Sequence, residues 1–435
     1  MAPCMAPGMA QRTPDDPLVI IGNGMAGHRL VEALVKRMDR PARIIVLGEE
    51  AAPAYNRILL SPWLAGEMAR DALTLRDAGW YADQGIELIL GERVTEIDRQ
   101  ARRLTTDAGR TLDYGRLVLA TGSRPAMPAV PGIDLAGVHG FRDLDDAAAL
   151  MAAAEGGAET LVVGGGLLGL EAAEGMRKRG CRVGVLQRAD RLMNRQLDAT
   201  AATLLEEELR GRGLMIHTAA RLARLEDDGR GRVAAVHLED GRRLAADCVV
   251  IAAGITPNAA LGEAAGLAVG RAIRVDETLT SSDPHIHALG ECCEFEGHTY
   301  GLVEPIWRQV EVLAARLCGE TPPGYREAET ATKLKVSGIA LYAFGPTEAD
   351  DDHEVLVYHD PDQGDYRRLL LRDGRLEGAV LYGDTAMGPW YFAQAQAGHD
   401  LGACRPALLL GAADADALLD TPSSVSSPRP EKEAA

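Results

Sequence analysis

The apolar run Leu18-Val19-Ile20-Ile21 reads as a short buried parallel strand, and it ends in Gly22-Asn23-Gly24-Met25-Ala26-Gly27. Apolar positions then recur at helical spacing, at Leu30, Val31, Leu34 and Val35. A second strand from Arg43 to Leu47 follows and ends at Glu49. Strand, glycine-rich turn, helix and strand in this order make a βαβ unit. A second copy begins with Thr160-Leu161-Val162-Val163 and turns through Gly164-Gly165-Gly166-Leu167-Leu168-Gly169. It continues as a helix from Leu170 to Arg179 and a strand from Arg182 to Leu186. The two motifs start 142 residues apart, so this is a duplicated domain and not a short-period solenoid.

Alternating segments at 86–94, 102–106 and 111–119 read as strands that close the first unit, and 214–251 repeats that rhythm for the second. Beyond Pro322-Pro323-Gly324 the character changes. Lys333 to Phe344, Glu354 to His359, Tyr366 to Arg372 and Leu376 to Tyr382 read as antiparallel strands, with a turn at Asp373-Gly374 and a helix from Pro389. The fold class expected is therefore α/β: two Rossmann-like dinucleotide-binding domains plus a small C-terminal α+β domain. The boundaries are a flexible leader at 1–16, a first dinucleotide domain split into 17–125 and 252–322, and a second at 126–251. The C-terminal domain spans 326–412, and a polar, proline-broken tail at 413–435 is expected to be disordered.

Composition narrows the class. The 46 Lys plus Arg against 64 Asp plus Glu leave a formal charge of -18 over 435 residues, a surface that repels phosphate backbones and makes nucleic acid a poor partner. No stretch approaches 18 uncharged apolar residues, which argues against membrane insertion. The seven cysteines, at 4, 181, 248, 292, 293, 318 and 404, are odd in number and scattered, and the N-terminal segment lacks a secretory pattern. A cytoplasmic protein without a disulfide framework is expected. No Cys-x-x-Cys or Cys-x4-Cys pair occurs, so neither a dithiol of those spacings nor a metal cassette is expected. The adjacent Cys292 and Cys293 read as a strand-end or loop pair, with a functional thiol as the minor alternative.

One glycine loop is weak evidence, because glycines also make ordinary tight turns. Two copies in strand-turn-helix context say more, since a pyrophosphate rests well on a helix N-terminus where glycines let the backbone come close. Glu49, at the end of the second strand, is then placed to accept hydrogen bonds from an adenosine ribose; otherwise it is an exposed glutamate. Leu117 to Ala120-Thr121-Gly122-Ser123, Cys248 to Ala253-Gly254, and Ile286 to Gly290-Glu291 are further apolar strands running into small-residue turns.

In this order the segments resemble the pyridine-nucleotide-disulfide oxidoreductase superfamily over residues 18 to about 320. More narrowly the chain is similar to the flavoprotein portion of assimilatory NAD(P)H nitrite reductases, to about residue 410. That likeness is carried by Gly22 to Arg29, Ala54-Tyr55-Asn56-Arg57 with Leu60-Ser61, Trp80-Tyr81, Gly164 to Ala173, Arg191-Leu192-Met193, Gln196-Leu197-Asp198, Gly290-Glu291-Cys292, Tyr300-Gly301-Leu302 and Thr332 to Lys335.

The resemblance implies FAD in the first unit and NADPH or NADH in the second. It implies FAD contacts from Gly22, Gly24, Met25, Ala26, Gly27, Glu49 and Arg57, and backbone contacts to the adenine from Val94. Ala120, Thr121 and Gly122 would pack along the flavin, and Glu291 would bond the ribityl chain. For the nicotinamide nucleotide it implies Gly164, Gly166, Leu167, Leu168, Gly169, Gln187, Arg188 and Gly254, with Glu171 near the nicotinamide side of the flavin or, on the bland reading, solvated on its helix. His28 is expected on a helix near the flavin pocket. No catalytic acid or base and no metal ligand is assigned.

Three departures shape the expected activity. The 55–61 stretch has no cysteine, so electrons do not leave through a thiol there. The iron–sulfur and siroheme segments of nitrite reductase are absent, so a separate acceptor is implied, either a nitrate or nitrite reductase component or a small iron–sulfur carrier. Gln187 stands where the family usually has a carboxylate, and with Arg188 and Arg191 nearby in sequence this admits the extra phosphate of NADPH. The competing view is two solvent-facing arginines and an NADH enzyme. The leading expectation is an NAD(P)H-dependent FAD oxidoreductase serving nitrate or nitrite assimilation. A rubredoxin or ferredoxin reductase is the first alternative and a flavin-binding regulatory protein without turnover the second, with monomer and homodimer both open.

Overall fold

The computed structural model describes residues 16–411 apart from Ser337. The expected leader up to residue 15, the tail from residue 413, and Cys4 lie outside the described residues. The described residues divide into two compact units: those up to Arg188 with Ala220–Ala328, and Ala189–Ala219 with those from Glu329 to residue 411.

In the first unit Leu18–Ile21 is the centre of a five-stranded parallel sheet, in the order Ile286–Ala288, Arg116–Leu119, Leu18–Ile21, Ile44–Gly48, Ile86–Leu90. Leu18 pairs with both Ile44 and Arg116, so the strand is covered on both edges. Its four side chains are all buried, which explains the unbroken apolar run. Each aliphatic side chain so buried contributes about 1.5–3 kcal/mol. A second parallel sheet has the same centre: Glu159–Val163 lies between Arg182–Leu186 and Cys248–Ile251, which in turn pairs with Val138–His139. Each sheet is interrupted in sequence by a three-stranded antiparallel meander, 94–98, 103–106 and 111–113 before Arg116–Leu119 in one case and 222–227, 233–238 and 243–245 before Cys248–Ile251 in the other. Ser123–Pro125 and Ile255–Pro257 pair antiparallel, tying together the two segments that leave the parallel sheets.

Three expected strands are shorter than their patterns. The 86–94 segment ends at Leu90, and Val94 opens the meander, because Gly91 turns the chain at φ 71°. The 111–119 segment breaks at Tyr114-Gly115 and serves two different sheets. Lys333 to Phe344 is a hairpin of Thr332–Val336 and Ile339–Phe344, with Gly338 at φ 97° next to the turn.

The second unit holds a five-stranded antiparallel sheet with Arg375–Tyr382 at its centre, flanked by Ile339–Phe344 and Asp365–Arg372. Helix Gly388–Ala397 starts with Pro389 in its first turn and stops at Gly398, whose φ of 62° ends the helix without strain. Residues 189–219 cluster with this sheet: Tyr366 donates to Asp198 at 2.8 Å, and Asp198 caps helix Ala199–Gly211. The six described cysteines are buried and no disulfide joins them. Burial pushes the thiols of Cys292 and Cys293 up, so neither supplies a ready thiolate.

Candidate functional site

The two glycine turns are built alike. Gly22 has φ +113°, and a Cβ on it would stand 2.2 Å from the Ala120 carbonyl oxygen; Gly164 has φ +129° and the same conflict at 2.3 Å with Ala252. A Cβ on Gly27 would lie 2.0 Å from the Gly22 carbonyl oxygen, and one on Gly169 would lie 1.9 Å from that of Gly164. These four glycines let the helix, the turn and the neighbouring strand touch through backbone alone. The middle glycines differ from them: at Gly24 and Gly166 a Cβ would meet nothing within 4 Å. They face open space at the head of helices Met25–Val35 and Leu167–Lys178, and neither helix has a side-chain N-cap or an acidic residue in its first turn. The unpaired N–H groups of each helix end therefore form a positive cradle with room in front of it, the shape and sign a dinucleotide pyrophosphate needs.

Around the first cradle the fold gathers residues that are far apart in sequence. Gly290, at φ +83°, comes so near the first turn that a Cβ on it would lie 3.1 Å from the Ala26 Cβ. Glu291 beside it accepts from Ser123 Oγ at 2.8 Å and pairs with the Arg142 guanidinium. Arg57 pairs with Glu50 and donates to the Arg142 carbonyl at 2.8 Å, while Tyr55 donates to Glu50 at 2.7 Å. Two guanidinium–carboxylate pairs thus link the second strand's exit, the 55–57 turn, the loop before helix Leu144–Glu155 and the Gly290 turn. The Ala120 to Gly122 turn is clamped by Asn258, which donates to the Thr121 carbonyl at 2.8 Å and through its own backbone N–H to that of Gly122 at 2.9 Å. Glu49 is exposed just past its strand. The loop leading to Val94 bonds onto the same strand end, Glu92 N–H to the Gly48 carbonyl at 3.2 Å. Glu50, Arg142 and Asn258 were not singled out by sequence reasoning; each is a single polar residue in a loop, and only the fold gives it partners.

At the second cradle Leu167 and Leu168 open the helix, and Gly254 holds φ +124° at the exit of its strand. Glu171 is not the solvated residue of the bland reading. It is half-buried, accepts from Ser61 Oγ at 2.6 Å, and is pushed upward by burial, which favours its protonated form. Gln187 is buried and turned onto the second glycine turn, where its Oε1 accepts from the Gly165 N–H at 3.2 Å. Arg188 is exposed. Arg191 belongs to the second unit, where it pairs with Glu348 and donates to the Leu197 carbonyl at 3.3 Å. His28 is buried on the first helix; burial lowers its pKa, and its Nδ1 lies 2.6 Å from the Tyr81 hydroxyl. An open cleft in the second unit, lined by Asp198, Tyr366 and Arg368 among others, contains none of the expected site residues.

Two glycine turns built alike, each at the head of a helix on a parallel sheet, define the frame of a duplicated Rossmann-like fold. The family model for pyridine nucleotide-disulphide oxidoreductases matches residues 16–315, and the chain belongs to that family. The model for the rubredoxin NAD+ reductase C-terminal domain matches residues 331–394. Among curated proteins the chain is similar to the assimilatory nitrate reductase electron transfer subunit of Bacillus subtilis, at 40% identity over 85% of this chain and 48% of the relative. It is also similar to the nitrite reductase [NAD(P)H] of the same organism, at 40% identity over 88% of this chain and 48% of the relative. The chain spans about half the length of these curated relatives. Among solved structures it resembles the covalent putidaredoxin reductase–putidaredoxin complex, with TM-score 0.81, 28% identity, and coverage of 94% of this chain and 100% of that one.

Proposed function

We propose that FAD lies on the first cradle and NAD(P)H on the second, and that electrons leave to a separate redox protein serving assimilatory nitrate or nitrite reduction. The observation that carries this reading is the duplicated open cradle, of which only the first faces a turn with an acid, Glu291. Bound FAD supplies the chemistry that couples two-electron transfer from a nicotinamide to one-electron transfer to a metal centre. The chain's own groups bind and orient.

On this reading Gly22, Gly24, Met25, Ala26 and Gly27 receive the FAD phosphates, Glu49 the ribose and the Val94 backbone the adenine. Glu291 receives the ribityl hydroxyls, and Arg57 and Arg142 neutralise charge beside them. Ala120, Thr121 and Gly122 form a flat wall without bulky side chains. Gly164, Gly166, Leu167, Leu168, Gly169 and Gly254 frame the second nucleotide. Glu171, held on Ser61 and biased toward its neutral form, keeps a negative charge away from the electron-rich nicotinamide. The corresponding domains are 17–125 with 252–322 for FAD and 126–251 for NAD(P)H.

Gln187 favours acceptance of NADPH, because the position carries no carboxylate to repel a ribose phosphate and exposed Arg188 follows it. Six described cysteines buried without a disulfide among them support a cytoplasmic setting. The alternative reading, a ferredoxin or rubredoxin reductase, is favoured by the end-to-end coverage of the putidaredoxin reductase and by the match at 331–394. Steady NADPH and NADH oxidation by the purified flavoprotein, with a nitrate or nitrite reductase component, a ferredoxin or a rubredoxin as acceptor, tests these readings. Efficient turnover with the first supports the proposal, efficient turnover only with a small carrier supports the alternative, and turnover with none contradicts both.

A further inference from the structure

Strand Glu354–Asp360 closes one side of the second unit's antiparallel sheet and pairs only with Asp365–Arg372 among the described residues. Its register runs unbroken from Glu354 opposite Leu371 to Asp360 opposite Asp365. Beyond that ladder no backbone hydrogen bond among the described residues involves the strand, so its outward N–H and C=O groups meet no other strand. Sheet edges are usually blunted by lysine, proline, a bulge or a covering element. Thr332–Val336, at the opposite edge, carries Lys333 and Lys335. Val355 to His359 contains no Lys, Arg, Asp, Glu, Pro or Gly.

One face of this edge is also uncovered. Alternation puts Val355, Val357 and His359 on the same face as Tyr366 and Arg368 of the neighbouring strand. With the head of helix Ala199–Gly211 they line the open cleft, of about 440 Å³. That helix reaches the central strand, where Tyr382 donates to the Leu204 carbonyl at 3.4 Å, but it leaves Val355 40% and Val357 50% exposed. The chain on either side of the apolar stretch is acidic: residues 348–362 hold seven carboxylates and neither Lys nor Arg. Arg191, Arg372 and Arg405 pair with Glu348, Asp350, Asp352 and Glu354, and Arg372 is shared with Glu377. Three guanidiniums against these carboxylates leave both ends of the strand negative.

That charge selects the occupant. A second copy pairing edge to edge would bring two acidic rims together, and the chain's own residues 412–420 carry Asp414, Asp416 and Asp420 without a Lys or Arg. We propose that this edge is a docking site for an extended basic segment of another protein. The segment adds to the sheet as a further strand, with apolar side chains against Val355 and Val357 and Lys or Arg at its two ends. This docking does not depend on where FAD lies.

The test uses the full-length protein and a labelled peptide, Lys-Lys-Val-Thr-Val-Thr-Val-Lys-Lys, followed by fluorescence anisotropy and located by amide hydrogen exchange. One control peptide has Glu for every Lys. Another carries N-methyl groups on the amides of the Val-Thr stretch, which removes backbone pairing and keeps the charge. Saturable binding is expected, with exchange protection confined to Glu354–Asp360 and no binding of the Glu peptide. The N-methylated peptide should bind at least about tenfold more weakly. The V355D/V357D variant should also lose about tenfold or more although it adds two negative charges, the opposite of what charge attraction alone gives. No binding, protection elsewhere, equal affinity for the N-methylated peptide, or a gain in V355D/V357D overturns the proposal. If that variant does not fold, the N-methylated peptide on wild type decides alone. A wild-type dimer in sedimentation that V355D/V357D abolishes would assign the edge to a second copy and overturn the basic partner.

Discussion

The two glycine turns share one backbone and differ in what surrounds it. In both, a Cβ on the first or last glycine would fall about 2 Å from a carbonyl oxygen, while one on the middle glycine would meet nothing within 4 Å. Around the first turn lie Asn23, His28 and Tyr81 below and Arg57, Arg142, Glu50 and Glu291 in front. The second turn instead is closed from within by Gln187, and its helix buries Glu174, which is paired with Arg177 at 2.7 Å. On the proposed reading, glycine geometry makes the cradle common to both nucleotides, and the polar residues around it distinguish the two.

The largest effect expected from breaking this likeness is steric. Gly27→Ala and Gly169→Ala place a methyl on a carbonyl oxygen at 2.0 and 1.9 Å, and each should cost about 3 kcal/mol or more, read as lost thermal stability. Gly24→Ala meets nothing within 4 Å and should leave apoprotein melting nearly unchanged while weakening FAD binding. If Gly24→Ala destabilised the apoprotein as much as Gly27→Ala, the division between packing glycine and ligand glycine would be wrong.

Next in size is the ion pair in front of the first turn. Arg142→Ala leaves the mostly buried Glu291 with only Ser123, and FAD affinity should fall by about tenfold to a hundredfold, while KM for NAD(P)H stays within about twofold. Loss confined to KM would place Arg142 at the other nucleotide.

A pH effect of middle size falls on the loop that carries Arg142. Asp146 accepts from the Arg142 backbone N–H at 2.8 Å, and burial, then the nearby Asp143 charge, push its carboxyl up to about 6. Because the folded state holds this proton more tightly than the unfolded chain, the stabilisation is full below about pH 4 and lost as pH rises through about 6. Asp146→Asn, which keeps the acceptor, should therefore raise stability at pH 8 by about 2 kcal/mol after solvent screening and leave pH 4 nearly unchanged. Parallel melting curves for the two proteins across that window would contradict the shift.

The smallest effect sharpens the second turn. Gln187→Glu should raise the KM for NADPH relative to NADH by about tenfold, since it restores a charge that repels a ribose phosphate. An unchanged ratio would remove Gln187 from nucleotide choice.

The strands and both turns were legible because apolar runs and glycine spacing are local signals, and the glycines mark backbone contacts that no other residue allows. The site around the first turn was only half legible. Gly22 to Gly27, Arg57 and Glu291 stood out, whereas Arg142 is a loop arginine whose meaning comes from Glu291, 149 residues later. Asn258 clamps Thr121 across 137 residues, and Tyr81 reaches Asn23 across 58. Long-range pairs of single polar residues leave no periodic trace. The 86–94 segment was misjudged for the opposite reason: its alternation continues through Gly91, although the chain there passes from one sheet to another. Glu171 looked solvated in one reading because its partner Ser61 lies 110 residues away.

The most direct test of the two-cradle account is an anaerobic titration of the reconstituted protein with NADPH and with NADH, following the flavin absorbance against bound FAD. The account predicts one FAD per chain, complete bleaching by one equivalent of reduced nucleotide, and bleaching by NADPH as well as NADH. FAD bound at one per chain but bleached by neither nucleotide would contradict it.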